Sequence, residues 1–168
     1  MVRATLMQID AWYNEAANQV GDRPSLLSKL ALLELCGWIE GEFDQLVLAA
    51  QTGRLNDDAW CGKHVIDKTS GFTFDHLRTM LAKLFGELYA RRIEAEMERM
   101  HPGELERFTR LLKDLYKVRC SFAHADYVTN VKQQQVFNAP SWSLGQLAAV
   151  TDLSSKLQQA LLVALADV

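Results

Sequence analysis

The segment KVRCSFAHADY places Arg119 five residues before His124, and the two side chains together suit phosphodiester chemistry. An unperturbed imidazole titrates at about pH 6.5, so it can take or give a proton near neutral pH. A guanidinium adds a fixed positive charge and a fork of donors for phosphate oxygens. RNA cleavage by internal attack needs both functions, because the 2′-hydroxyl loses a proton while charge builds on the phosphate. The pair therefore predicts a catalytic site that requires no metal and no cofactor.

The five-residue spacing sets a geometric condition on this site. Five residues of an ideal helix turn through about 500°, which leaves the two side chains about 140° apart. Either the helix breaks near Cys120 and Ser121, or the same segment of a second subunit completes the site. A purely structural interpretation stays open, in which Arg119 is the cation of a helix C-terminus and His124 is a hydrogen-bonded, partly buried residue.

Length and composition are typical of one globular domain covering residues 1–168. The chain has 168 residues, of which 49% are hydrophobic and 23% charged, and this excludes the composition of a disordered protein. The net charge is −3, so no overall positive field attracts a nucleic acid. Any RNA site must therefore be local.

Three cysteines bear on the compartment and on metal binding. Cys36, Cys61 and Cys120 are odd in number and widely spaced, which argues against a disulfide framework. Cys61 and His64 form a single C-x2-H pair, too few ligands for a tetrahedral zinc site. The first residues include no long apolar run, so we expect neither a signal peptide nor a membrane segment. We therefore predict a cytoplasmic protein without a metal.

Apolar residues recur at helical intervals through most of the chain, whereas period-two segments are missing. The second of these stripes is widened by Leu30, Leu33 and Val47, which predicts a central helix buried on more than one side. Pro102-Gly103 marks a break, and Ser141 or Ser143 is a candidate cap for the last helix. The pattern predicts an all-α, up-and-down bundle of four to five long helices. The expected helices cover residues 5–20, 24–50, 74–99, 105–118 and about 141–165, and residues 52–73 form a long connection with a short turn.

Basic side chains near the expected helices are candidate contacts for RNA phosphate. Arg110, Lys113 and Lys117 recur at three- and four-residue intervals on the fourth helix, as a stripe that points toward Arg119. His76 and Arg78 begin the third helix. For these two, a helix cap at Asp75 followed by exposed charges explains the pattern equally well.

The string RCSFAHAD resembles the R-x4-H signature of HEPN domains, in which an arginine precedes a histidine by five positions. Three further stretches resemble single-domain HEPN proteins of the RiboL-PSP type. The similarity extends from about residue 30 to residue 165, and the arginine-histidine motif is its most specific part. The further stretches are WIEGEFDQLV, HVIDKTSGFTFDHLRTML and FNAPSWSL.

This resemblance implies a helical bundle that forms a homodimer through the Arg119–His124 segment. It implies an endoribonuclease of toxin–antitoxin, phage-defence or RNA-processing systems, with an antitoxin or defence protein as partner. His124 would act as general base or acid, and Arg119 would stabilise the phosphate. The expected products end in 2′,3′-cyclic phosphate and 5′-hydroxyl.

Four further residues gain a role only through the resemblance. Glu40 is expected to orient the arginine or the histidine, although a solvated helix face also explains this carboxylate. Tyr127 follows the histidine at a spacing one position different from that of a tyrosine modified in related toxins. Cys120 stands where many members have asparagine, and Ser121 is the expected substitute. This departure leaves a second hypothesis, a non-catalytic HEPN-like module that binds RNA or a protein.

Overall fold

The computed structural model describes residues 1–52, 54, 57–69, 71–123 and 138–166. Within these residues the chain forms seven α-helices and no strand, so the predicted all-α class is confirmed. The up-and-down order and the dimer stay predictions. The helices are α1 (Val2–Asn14), α2 (Arg23–Gln51), α3 (Asp58–Cys61), α4 (Phe74–Phe85), α5 (Glu87–Met100), α6 (Glu104–Ala123) and α7 (Pro140–Ala164).

The chain divides into two compact units, each with buried apolar side chains. The first comprises Met1–Trp38 and Leu115–Ala149, and the second comprises Ile39–Asp114 and Val150–Val168. The prediction of one domain over residues 1–168 stays a prediction. In the first unit the buried residues include Leu6, Ile9, Ala31, Leu32, Leu35 and Cys36.

The core of the second unit is built around aromatic rings. The ring of Phe108 meets that of Phe43 edge to face, with centroids 6.2 Å apart, and lies 6.4 Å from that of Phe74. Edge-to-face contacts of this kind add stability beyond the area they bury. Other fully buried side chains of this unit are Leu77, Met80, Ile93, Met97, Leu112, Leu153 and Leu157.

Helix α2 covers the predicted stretch but differs from the prediction in burial. Val47 is fully buried, as expected for a widened stripe. Leu30 and Leu33 remain 39% and 38% exposed, so the expected second buried side is wrong for these two residues. A helical period marks which residues share a face, whereas burial of that face needs a neighbour to cover it.

Helices α4 and α5 replace the single helix expected over residues 74–99. The chain breaks at Gly86, which has φ 87° and ψ 162°. A side chain strongly disfavours this backbone conformation, and glycine adopts it freely. The turn at Pro102-Gly103 lies between α5 and α6, as predicted.

The long connection and two helix ends also differ in detail from expectation. A four-residue helix, α3, and a π-helical turn at Gly62–Ile66 occupy the connection, where one short turn was expected. Helix α1 ends at Asn14 and a 3-10 turn follows at Ala16–Asn18. Ser141 and Ser143 lie inside the first turn of α7, because Pro140 is already helical, so neither serine is its cap.

Candidate active site

Arg119 lies in the last turns of α6, one of the long helices. Arg119, Cys120 and Ser121 are all half-buried. Arg119 also interacts with other groups of the protein. His124 and Tyr127, the other two residues expected in this segment, lie outside the described residues.

Helix α6 continues through the position where a break was expected. It is helical through Cys120 and Ser121 to Ala123, so the predicted break near Cys120–Ser121 is wrong. The break was one of two ways to bring an arginine and a histidine five residues apart onto one site. Of those two ways, a second copy of the segment remains.

The hydroxyl of Ser121 is used within its own helix. It donates to the carbonyl oxygen of Val118 over 2.7 Å. Serine hydroxyls commonly bond a carbonyl in the preceding turn in this manner. The proton of Ser121 is therefore committed to the backbone, and this weakens the expectation that Ser121 replaces the asparagine that Cys120 lacks.

The basic stripe of α6 consists of Arg110, Lys113 and Lys117, all of them exposed. Arg110 pairs with Glu106 over 2.6 Å. Exposed pairs of this type stabilise little, so a phosphate can compete for the guanidinium. Lys117 and Arg119 are two residues apart in one helix and therefore point about 160° apart. The stripe and Arg119 thus lie on opposite sides of α6, contrary to the expected convergence.

Glu40 lies in an acidic neighbourhood within the second unit. It is half-buried on α2, one turn before Asp44. Burial, then the charge of Glu40, then that of Asp67 raise the pKa of Asp44. The sequence showed Asp44 beside Glu40 on this helix, four residues away, but only Glu40 was chosen as a candidate. Asp67 is distant in sequence and gave no such signal.

His76 has a structural role at the start of α4. The backbone N–H of Thr73 donates to its Nδ1 over 3.2 Å, and the two residues form a capping box. Thr73 is the N-cap, so the expected cap at Asp75 is wrong, and Asp75 lies in the first turn. An imidazole nitrogen occupied in this way is less available for RNA phosphate.

Arg78 is held by two carboxylates of α5. It pairs with Glu87 and with Glu94, each over 2.6 Å. The two carboxylates raise the pKa of Arg78 further above its ordinary value. These contacts favour the structural interpretation of Arg78 over the RNA-binding one. Its acidic partners follow it by 9 and 16 residues, so no local sequence pattern marked them.

No cluster for a metal ion and no membrane helix appears in the described part of the chain. There, no three His, Cys, Asp or Glu side chains come together as metal ligands. Over the same residues, every helix is too short or too polar to span a bilayer. Comparison with protein-family models, with curated proteins and with solved structures found no match to the chain. The functional assignment therefore depends on the residues themselves.

Proposed function

We propose that this protein is a metal-independent endoribonuclease of the HEPN type, in which Arg119 and His124 form the catalytic site. One observation carries the proposal. The sequence RCSFAHAD joins a phosphate-binding guanidinium to an imidazole five residues later, and α6 carries Arg119 in its last turns. Arg119 stabilises the charge that builds on the phosphate. His124 moves the proton of the 2′-hydroxyl or of the leaving 5′-oxygen.

The homodimer is part of the same proposal. Between Arg119 and Ala123, the part of this segment that the structure describes, α6 has no break that would turn the arginine toward the histidine. A two-fold pair of segments brings the arginine of one copy near the histidine of the other.

The proposal is tested with purified protein and end-labelled single-stranded RNA in EDTA. The wild type should cut the RNA, and both His124→Ala and Arg119→Ala should lose at least 100-fold in rate, a common effect of removing a general acid–base group or a group that stabilises transition-state charge. Two matched variants serve as controls. His64→Ala removes an exposed histidine outside the motif, and Arg91→Ala removes an exposed arginine of α5.

The same assay decides for or against the enzyme. Intact RNA after incubation with the wild type would contradict the proposal. Equal cutting by His124→Ala would contradict the assignment of the site. Loss of cutting in His64→Ala as well would point to a general folding defect, which circular dichroism of each variant detects.

A second candidate function is a non-catalytic HEPN-like module that binds RNA or a protein partner. Two observations favour it, namely the cysteine at position 120 and the commitment of the Ser121 hydroxyl to the helix backbone. Under this hypothesis Arg119→Ala lowers the melting temperature, and RNA remains uncut with both the wild type and the variant. A nuclease variant keeps its melting temperature and loses cutting, so the two measurements together separate the two functions.

A further inference from the structure

Helix α2 has an exposed row of leucines in the first unit. Leu26, Leu30 and Leu33 are 51%, 39% and 38% exposed. The opposite side of the same stretch already supplies core residues, since Ala31 and Leu35 are fully buried. The exposed leucines are therefore additional to the core of this unit. Apolar side chains in a contiguous row, in contrast to scattered ones, mark interaction surfaces.

The spacing of this row is that of the contact positions in a coiled coil. The three leucines follow one another at four- and three-residue intervals, and the next contact position, four residues after Leu33, is Gly37. A side chain at Gly37 would meet nothing within 4 Å. The row from Leu26 to Gly37 is thus open along its length, about 17 Å at the rise of an α-helix. We call these four residues the leucine face.

Two opposite charges flank the leucine face, one on each side. Lys29 and Glu34 are five residues apart, so they point about 140° away from each other and cannot pair within one helix. Within the described residues neither side chain forms an ion pair. Flanking positions of this kind pair between two helices that pack side by side.

The flanking charges indicate which partner binds the leucine face and whether the partner helix is parallel or antiparallel. In a parallel pair of identical helices, a residue on one flank meets the partner residue five positions later on the other flank. Lys29 of each copy then meets Glu34 of the other, twice per pair. An antiparallel pair would place lysine against lysine and glutamate against glutamate. We propose that the leucine face binds the same face of a second copy of this chain, with the two α2 helices parallel.

This contact goes beyond the proposed nuclease function and does not require it. It uses α2, whereas the proposed catalytic pairing uses the end of α6. Three leucines per copy cover much less than the roughly 800 Å² per partner of a standard stable interface. The expected dimer is therefore reversible and depends on protein concentration.

Sedimentation equilibrium of the full chain over a wide range of concentrations tests the contact. The wild type should show a concentration-dependent association step, and Leu30→Glu should lack this step whether or not the α6 segments pair. Gly37→Leu extends the seam by one leucine and should tighten the dimer at least tenfold. Leu88→Glu is the matched control, because Leu88 is a 77% exposed leucine of α5 and not part of the leucine face, and it should leave association unchanged.

Charge exchange tests the parallel direction. Lys29→Glu and Glu34→Lys should each weaken the dimer, because like charges then meet, and the double variant should restore it. An antiparallel pair would show no such restoration, and that result would overturn the proposed geometry. If both the wild type and Gly37→Leu stay monomeric at every concentration, the contact is overturned.

The sedimentation experiment tests the leucine-face contact independently of the nuclease proposal. Equal association of the wild type and Leu30→Glu at every concentration would show that any dimer forms through another surface, such as the end of α6, and would overturn the leucine-face contact alone. RNA cutting measured on the same samples reports separately on Arg119 and His124. Absence of cutting would leave the sedimentation results and the contact on α2 intact.

Discussion

The guanidinium of Arg78 on α4 donates to both carboxylate oxygens of Glu87 on α5, over 2.6 and 3.1 Å. Its Nε donates to Glu94 over 2.6 Å. Bidentate contacts of this kind are directional as well as strong. They join the two helices on either side of the Gly86 turn. The charge of Arg78 therefore stabilises the α4–α5 pair, which explains its place in the chain without an RNA ligand.

The Arg78–Glu87 contact predicts acid sensitivity. Hydrogen bonds from Arg78 and then Arg91 lower the pKa of Glu87 from 4.5 to about 2. A carboxyl group with a lowered pKa in the folded state contributes stability above its ordinary pKa, and this contribution is lost as the pH falls toward the folded value. The free energy of unfolding should therefore decline between about pH 4.5 and pH 2.

Urea unfolding at several pH values measures this decline. Glu87→Gln should show a shallower dependence on pH over that range than the wild type does. Glu42→Gln removes an exposed carboxylate on α2 and should keep the wild-type slope. Equal slopes for Glu87→Gln and the wild type would show that the contact contributes nothing in solution.

Gly71 should tolerate no side chain. Its φ is +126°, and an added Cβ would come within 2.5 Å of the His76 ring. Gly71→Ala should therefore lower the free energy of unfolding by about 1–3 kcal/mol, as is usual for a residue forced into a glycine-only conformation. Gly145→Ala is the control, since Gly145 lies in α7 with open space around it and should be stabilised by about 0.5–1 kcal/mol. Denaturant midpoints compare the two, and equal midpoints would refute the close approach to His76.

Arg54 links the C-terminal ends of two helices. Its two terminal nitrogens donate to the carbonyl oxygens of Ala50 and Leu165, over 3.1 and 2.8 Å. A cation at a helix C-terminus also complements the helix dipole. Because hydrogen bonds from charged donors contribute about 1.5–3 kcal/mol, Arg54→Met should destabilise the protein by that order. Arg91→Met removes an exposed arginine that pairs with Glu87 of its own helix and should cost less than about 1 kcal/mol. Thermal unfolding of the two variants checks the difference, and an equal effect would contradict the role of Arg54.

Helix positions were predictable where the apolar period was clear, as for α2, α6 and α7. The break at Gly86 was missed because apolar residues keep their helical interval on both sides of it, from Leu81 and Leu84 to Leu88. One glycine inside such a pattern lowers helix stability by only about 1 kcal/mol, so sequence alone does not distinguish a tolerated glycine from a break.

The surroundings of the candidate residues were less predictable than the helices. The place of Arg119 near the end of α6 followed from the apolar period before it. The partners of Arg78 did not, because Glu94 lies 16 residues away and meets it only through packing of α5 on α4. The exposure of Leu30 and Leu33 was missed for the same reason, since the period alone does not say whether a second surface covers a stripe.

A site shared by two copies makes a prediction about mixed subunits. Arg119→Ala and His124→Ala should each be inactive alone. When they are mixed and allowed to exchange, half of the dimers combine the two variants, and one of their two sites is intact. About a quarter of the wild-type cutting rate should return, since a two-fold interface repeats the same contact twice. No recovery after demonstrated exchange would contradict a site shared between copies.

The most direct test of the nuclease is the chemistry of the RNA ends. RNA incubated with the wild type in EDTA should yield fragments with 2′,3′-cyclic phosphate and 5′-hydroxyl ends, because the adjacent hydroxyl is the nucleophile. His124→Ala with an unchanged melting temperature should yield none. Fragments ending in 5′-phosphate, cutting that requires added Mg²⁺, or equal cutting by His124→Ala would contradict the account.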